Sequence, residues 1–436
     1  MEKYPIQSER LFLRSPSINV CFRVVIEGTF ERNIIEETIE QMHLRHPLLG
    51  CSVETDDDNN AWFIPKNNPV TVEHYKSGEM DWQVWYKKND SLPFYFSNGT
   101  LVRFCIITGE TTEMIILGHH IIGDGIGYLN LVKDILLALD NRTDMTPFMP
   151  PFEAKDKCFK ETIPLNIIEK VYAKALNKKW RKSRVRFSEE YYLAFFRQYH
   201  NKYKPEYYMA AIENENLQKI LDNSKSNGLS VNEIIASAFS LACMETFNRT
   251  KIRLAVAANT RNELVSQPNN CMGNFVTGIS VNITCNRPDD FMSNAKAIAA
   301  VLRNQLAGSK NRHLAVHFLN EFDEDLLESI MFVIHGDFEH PVSKKLAALI
   351  GEQTQNKGLG ISNLGRHDFY GYDNFKVTDM QFIGPAFPAN AATVGIITVN
   401  EKMNICVRFN GGEIKGEIIK VICEKAINLL SKDGSA

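Results

Sequence analysis

No stretch of this chain approaches the ~18 consecutive apolar residues that a membrane-spanning helix needs. No apolar segment follows the charges of Met1-Glu2-Lys3-Tyr4-Pro5, so we expect a cytoplasmic protein with no membrane span. Paired C-x-x-C cysteines are missing. The nine cysteines are scattered and odd in number, and read as reduced, buried thiols rather than a disulfide or zinc framework. A charge excess is lacking too: 49 Lys and Arg stand against 52 Asp and Glu, a net −3. This excludes the basic surplus of a dedicated nucleic-acid binder and favours small molecules or proteins as partners. There is no G-x-x-x-x-G-K-[ST], G-x-S-x-G or H-E-x-x-H motif, which removes sequence support for a phosphate loop, a serine triad or a metalloprotease helix. Short-period repeats are absent as well.

What is present is core material. At 436 residues and 44% hydrophobic, the chain exceeds the size at which one core keeps growing, and two domains of roughly 200 residues are expected. Residues 18–27 are strand-like, and Ile34, Ile35, Ile39 and Met42 then recur at helical spacing up to Pro47. Asp56-Asp57-Asp58 reads as a solvated hairpin turn between Cys51-Ser52-Val53 and Trp62-Phe63-Ile64. Further strands are predicted near 69–76, 101–108 and 112–119, then a helix marked by Leu129, Val132, Ile135, Leu136 and Leu139. Pro147, Pro150 and Pro151 mark an exposed connection over 143–160. In the second half, a strand at 207–212 is followed by a capping box at Ser230 and Glu233 that opens an apolar helix through Phe247. Strands at 252–258 and 275–283, helices near 290–306 and 323–334, a hairpin across 400–404, and a final helix complete the pattern. The result is mixed α/β with two comparable halves.

The chemistry is concentrated in His119-His120-Ile121-Ile122-Gly123-Asp124-Gly125, between the apolar run Met114-Ile115-Ile116-Leu117 and the helix. Polar groups gathered there need partners or a task. Two histidines and a carboxylate also form a non-haem iron ligand set. Neighbouring strand residues point to opposite faces, however, which argues against one shared ion. Gly123, Gly125 and Gly127 do not complete G-x-G-x-x-G, because Tyr128 stands where the third glycine belongs. General-base catalysis uses every residue: one imidazole faces a cavity and takes a proton, while Asp124 pairs with an arginine and fixes the loop. Gly125 would allow close backbone approach. The alternative is a set of satisfied core polar groups.

His119-His120-x-x-x-Asp124-Gly125 resembles the HHxxxDG signature of the chloramphenicol-acetyltransferase-like superfamily. That superfamily includes CoA-dependent acyltransferases and the condensation domains of nonribosomal peptide synthetases. Ser8-Glu9-Arg10-Leu11-Phe12, Arg45-His46-Pro47-Leu48-Leu49 and Met272-Gly273-Asn274-Phe275-Val276 are similar to segments of the condensation branch. Ile361-Ser362-Asn363-Leu364-Gly365 is similar to a segment of stand-alone alcohol acyltransferases and the mycocerosyl-transferase group. No clear Y-x-D-F-A-x-W, H-Q-D-x-P-F-E or D-F-G-W-G motif is found. The resemblance implies two chloramphenicol-acetyltransferase-like α/β lobes in a V-shaped pseudo-dimer with a tunnel between them. The expected division is an N-terminal lobe over 1–160, a basic helical connection over 161–204, and a C-terminal lobe over 205–436.

The resemblance also implies roles. His120 would be the base, His119 its structural neighbour, and Asp124 the ion-pairing aspartate, with Arg261 as its partner and Arg45 second. Ser362, Asn363 and Asn274 are candidates for an oxyanion or tunnel contact. Lys178, Lys179, Arg181 and Lys182, bunched around Trp180, are either a solvated helical face or a contact for donor phosphates or a carrier protein. The implied reaction moves an acyl group from acyl-CoA, or from a phosphopantetheine thioester on an acyl carrier protein, to a small-molecule hydroxyl or amine. It needs no permanent cofactor, no metal and no covalent acyl-enzyme, and a monomer suffices. The rivals are a stand-alone condensation enzyme forming an amide and a catalytically silent relative that binds a carrier.

Overall fold

A computed structural model describes residues 3–431 apart from 29, 67, 143–145, 148–158, 162–164, 267–269, 286–289, 308–315, 337, 350–357 and 387–389. Pro150, Pro151 and most of the expected connection over 143–160 lie outside the described residues. The first half supplies strands β1 (Tyr4–Ile6), β2 (Asn19–Glu27), β3 (Cys51–Thr55), β4 (Ala61–Pro65), β5 (Thr71–Lys76), β6 (Val102–Thr108) and β7 (Thr111–His119). The second supplies β8 (Pro205–Glu213), β9 (Lys251–Asn259), β10 (Val276–Thr284), β11 (Gly358–His367), β12 (Lys376–Ile383), β13 (Asn390–Val399) and β14 (Lys402–Asn410). They assemble into a small sheet β1-β4-β3, a five-stranded sheet β12-β2-β7-β6-β5 and a six-stranded sheet β10-β9-β11-β13-β14-β8.

The continuous apolar run of β7 follows from its position in the middle of the five-stranded sheet. Met114 and Ile116 join the core under the helices Arg32–Arg45 and Gly125–Leu139, while Ile115 and Leu117 face Trp82, Trp85 and Cys406. A strand buried on both faces has no reason to alternate apolar with polar. The second lobe is built the same way around the predicted helix Val231–Thr246, which its capping box at Ser230 and Glu233 opens as expected. All eight described cysteines are buried thiols.

Two features cross the expected division. β12 belongs to the second half of the sequence, yet pairs antiparallel with β2, Phe382 opposite Phe22 and Val377 opposite Ile26. It is pinned from the other sheet by Asn404, whose Nδ2 donates to Met380 O at 2.8 Å. The segment 161–204 contains helices Ile167–Arg181 and Glu189–Tyr203. Trp180 and Phe195 on these helices, with Phe187 from the connection between them, pack against Phe332 and Leu346 of the helices Glu324–His335 and Pro341–Leu349, forming a separate core. The two lobes are therefore interlocked rather than strung in series.

Candidate active site

β7 ends at His119, and the chain turns through residues 120–124 into the helix Gly125–Leu139. The two imidazoles go to opposite sides, as the strand geometry requires. His119 is buried in the first lobe, edge-on to Phe94 and Phe96 at ring-centroid distances of 6.0 and 5.4 Å. Its Nδ1 accepts from the Ile121 N–H at 3.2 Å. The Tyr128 hydroxyl donates to His119 O at 2.9 Å, and this hydroxyl lies so close to Gly118 that a Cβ there would stand 1.9 Å from it. Glycine is thus required beside the motif.

Burial, with His120 as neighbour, pushes the His119 imidazole down to about 3. It stays neutral at all ordinary pH values. Because its folded value lies below the unfolded one near 6.5, the stability it contributes is full above ~6.5 and is lost as pH falls toward the folded value. Burial shifts His74, His200, His340 and His367 in the same direction. Thermal denaturation followed from pH 7.5 to 5 should therefore show a falling Tm, and His119→Gln should flatten the slope; an unchanged slope counts against this assignment.

His120 lines a cavity of about 600 Å³ at the seam between the lobes. Its Nδ1 is 3.3 Å from Asn274 Nδ2 of the second lobe, and its ring packs 5.3 Å from that of Phe12. Phe12 is placed by the Ser8–Phe12 turn, which is anchored when Arg10 and Arg14 pair with the buried Glu328. The cavity wall includes His120, Asp124, Gly125, Asn274, Ser362 and Asn363. Asn363 spends its Oδ1 on the Gly365 N–H at 2.9 Å. Ser362 lies half-buried on β11. A Cβ on Gly125 would come within 2.7 Å of Leu364 Cδ2, so the close approach there is by a neighbouring side chain.

Asp124 has three tasks. Its Oδ1 accepts from the Gly127 N–H at 2.8 Å and caps the helix. Its Oδ2 accepts from Arg261 Nη1 at 2.8 Å and from the Phe275 N–H at 2.8 Å. Burial opposes ionisation, but Arg261 and the two backbone donors outweigh it and hold the carboxyl below the usual range. Arg261 opens the short turn after β9, and its Nη2 also donates to Gly273 O at 3.0 Å. Loop, helix and second lobe thus meet at one carboxylate. Arg45, the second nominee, is engaged elsewhere: it binds Asp134 Oδ2 at 3.1 Å and Thr146 O at 2.9 Å.

The basic stretch does not reach this site. Lys178, Lys179 and Lys182 are exposed, Arg181 pairs with Asp323, and none of them lines the cavity. Sequence reading also missed Arg253, which does line it. The signal was available, since Ile252, Leu254 and Val256 alternate into the core and leave Arg253 on the other face of β9.

Two interlocked α/β lobes with the histidine of an HHxxxDG turn at their seam define a chloramphenicol-acetyltransferase-like fold. Within that class the chain belongs to the Condensation domain family, whose match covers residues 6–310. Over 291 residues it is 24% identical to bacitracin synthase 2 of Bacillus licheniformis, covering 60% of this chain and 10% of that protein. Over 121 residues it is 29% identical to surfactin synthase subunit 2 of Bacillus subtilis (strain 168), covering 27% of this chain and 3% of that protein. The chain thus spans at most about a tenth of the length of these curated relatives. Among solved structures it resembles the condensation domain of the Monacolin K polyketide synthase, with TM-score 0.66, 11% identity, and 99% and 97% of the two chains covered. It also resembles the trichothecene 15-O-acetyltransferase of Fusarium sporotrichioides, with TM-score 0.67, 12% identity, and 98% and 94% covered. At these identities the likeness is one of fold.

Proposed function

We propose that this chain transfers an acyl group from a thioester to a hydroxyl or amine, with His120 as the general base. The observation that carries this reading is the position of His120: it alone of the two histidines faces the cavity, and the second lobe contacts it through Asn274. The Asn274 amide, turned so that its Oδ1 accepts from Nδ1–H of His120, leaves the ring's lone pair on Nε2, and we assign Nε2 to the acceptor's proton. The acceptor oxygen or nitrogen attacks the thioester carbonyl as its proton passes to His120. The C–S bond then breaks, and the departing thiolate takes that proton, so the enzyme returns unchanged. Ser362 on β11 is our candidate donor to the carbonyl oxygen as it becomes an oxyanion. Asp124 does not act on substrate; it positions the turn that carries His120.

A second reading, amide formation between carrier-bound substrates, draws on the matches to the bacitracin and surfactin synthases. The exposed Lys178, Lys179 and Lys182 would then meet an acidic carrier protein rather than phosphates inside the cavity. One assay tests both: thiol release from acyl-CoA and from acyl-carrier donors, each offered with a panel of alcohols and amines. The proposal expects acceptor-dependent release from at least one donor. Equal release by wild type and His120→Ala across the whole panel would instead leave a carrier-binding role.

A further inference from the structure

We propose that the outward face of the helix Ile167–Arg181 docks on an anionic lipid surface. This helix buries Ala173, Leu176 and Trp180 against the helices Glu324–His335 and Pro341–Leu349. At about 3.6 residues per turn, Val171, Lys178 and Lys182 lie roughly opposite that stripe, with Ile167, Ile168, Lys174 and Lys179 to either side. A helix face turned to solvent is expected to be polar. Here Ile167 and Ile168 are each 80% exposed and Val171 60%, and no other large apolar side chain among the described residues reaches the exposure of the two isoleucines. Tyr172, 38% exposed at the edge of the face, has the amphipathic ring that settles at headgroup level. The capping box of Asn166 and Glu169 closes the first turn, so these side chains ride on a capped helix and not on a frayed end.

The charge on this face has one sign. Lys170, Lys174, Lys178, Lys179 and Lys182 are exposed, and none of their ammonium groups has a partner among the described residues. Glu169, the only acid of the helix, is held by its own N-cap, and Arg181 is paired with Asp323. A chain of net −3 has thus gathered unneutralised lysines beside exposed aliphatic side chains on one helix about 22 Å long. A protein partner would call for other residue types, because protein interfaces gather Arg, Trp and Tyr and are depleted of lysine. Trp180 is committed to the core and Arg181 to Asp323. Lysine is a hydrated point charge on a long apolar stem, which suits a diffuse negative plane better than a fixed carboxylate. Its ammonium stays among lipid headgroups while its stem and the isoleucines enter the acyl boundary. Isoleucines four-fifths exposed stand proud of the surface and offer no groove to a peptide. No helix among the described residues is long and apolar enough to cross a membrane, so the contact is a peripheral one.

The test uses the whole chain with unilamellar vesicles and does not depend on acyl transfer. Co-sedimentation at roughly 0.1 M salt should show binding to phosphatidylcholine vesicles holding about 30% phosphatidylserine at least about tenfold tighter than to pure phosphatidylcholine. Raising the salt to about 0.5 M should remove most of that preference. Lys174→Gln, Lys178→Gln, Lys179→Gln and Lys182→Gln combined should weaken binding to the anionic vesicles about ten- to a hundredfold, and Ile167→Ser with Ile168→Ser about tenfold. Lys219→Gln with Lys225→Gln, exposed on the helix Asn214–Ser226, should leave it unchanged. All of these are surface changes, and an unchanged Tm verifies that each variant is folded. A reporter orients the contact: Ile168→Trp should gain a blue-shifted emission on anionic vesicles, quenched by brominated lipid, that wild type lacks. Equal binding to both vesicle types, full binding by the folded lysine variant, or an Ile168→Trp emission indifferent to vesicles would overturn the proposal. So would an acidic carrier protein that binds through the same lysines while vesicles do not bind.

Discussion

Replacing His120 by alanine is expected to lower kcat/KM for acceptor-dependent thiol release by about 10²–10⁴-fold, the usual contribution of a positioned general base. The fall should appear mainly in kcat, because the base acts in the transition state and not in holding the donor. Stability should change little: the imidazole faces an existing cavity, so its removal enlarges open space rather than creating a sealed void. Asn274→Ala should give a smaller loss, since it frees the ring that Asn274 contacts at 3.3 Å but leaves the base in place. The conservative variant separates chemistry from packing. His120→Gln should lose as much rate as His120→Ala, because it restores bulk and hydrogen bonding without a base; a variant that keeps the wild-type rate would remove His120 from the mechanism.

The local parts of this architecture were legible because they are written in neighbouring residues. The Met114–Leu117 run, the Ser230–Glu233 capping box and the 400–404 hairpin each declare themselves within a few positions, and each is observed. The motif turn was legible for the same reason. What was not legible depends on partners far along the chain. The sequence reading did not include β12: the bulge between Val377 and Asp379 breaks the two-residue period of its buried positions Val377, Met380 and Phe382, and its neighbour β2 lies about 350 residues earlier. Sequence showed that Asp124 would need an arginine, yet not that it would also cap a helix and hold Phe275. Asn274 was singled out as a possible oxyanion or tunnel residue; it lines the cavity, and its contact with the His120 ring was not legible. The basic run around Trp180 was legible as a solvated helical face: the helix buries Ala173, Leu176 and Trp180, which turns the lysines to solvent.

Asp124→Ala is the change expected to cost most stability. Deleting the carboxylate leaves Arg261 buried, at 2% exposure, without its counter-charge. Breaking such a pair typically costs about 3–5 kcal/mol. The same substitution uncaps the helix at Gly127 and strands the Phe275 N–H, so the turn carrying His120 loses its grip on the second lobe. Activity should therefore fall with stability, through misplacement of the base rather than loss of a reacting group. Asp124→Asn keeps an acceptor for the helix cap but not the charge, and should lie between alanine and wild type. A double-mutant cycle is the sharper experiment. Arg261→Ala alone should also destabilise, but Asp124→Ala with Arg261→Ala should cost less than the sum, because no orphan charge then remains. Linkage adds an independent check. The carboxyl lies below its usual range in the folded protein, so its contribution is present above the unfolded value near 3.9 and is lost as pH falls through the folded one. The gap in Tm between wild type and Asp124→Asn should therefore be widest near neutrality and narrow below pH ~4. Additive costs in the cycle, or a gap that does not respond to pH, would mean that the pair does not hold the two lobes together at this turn.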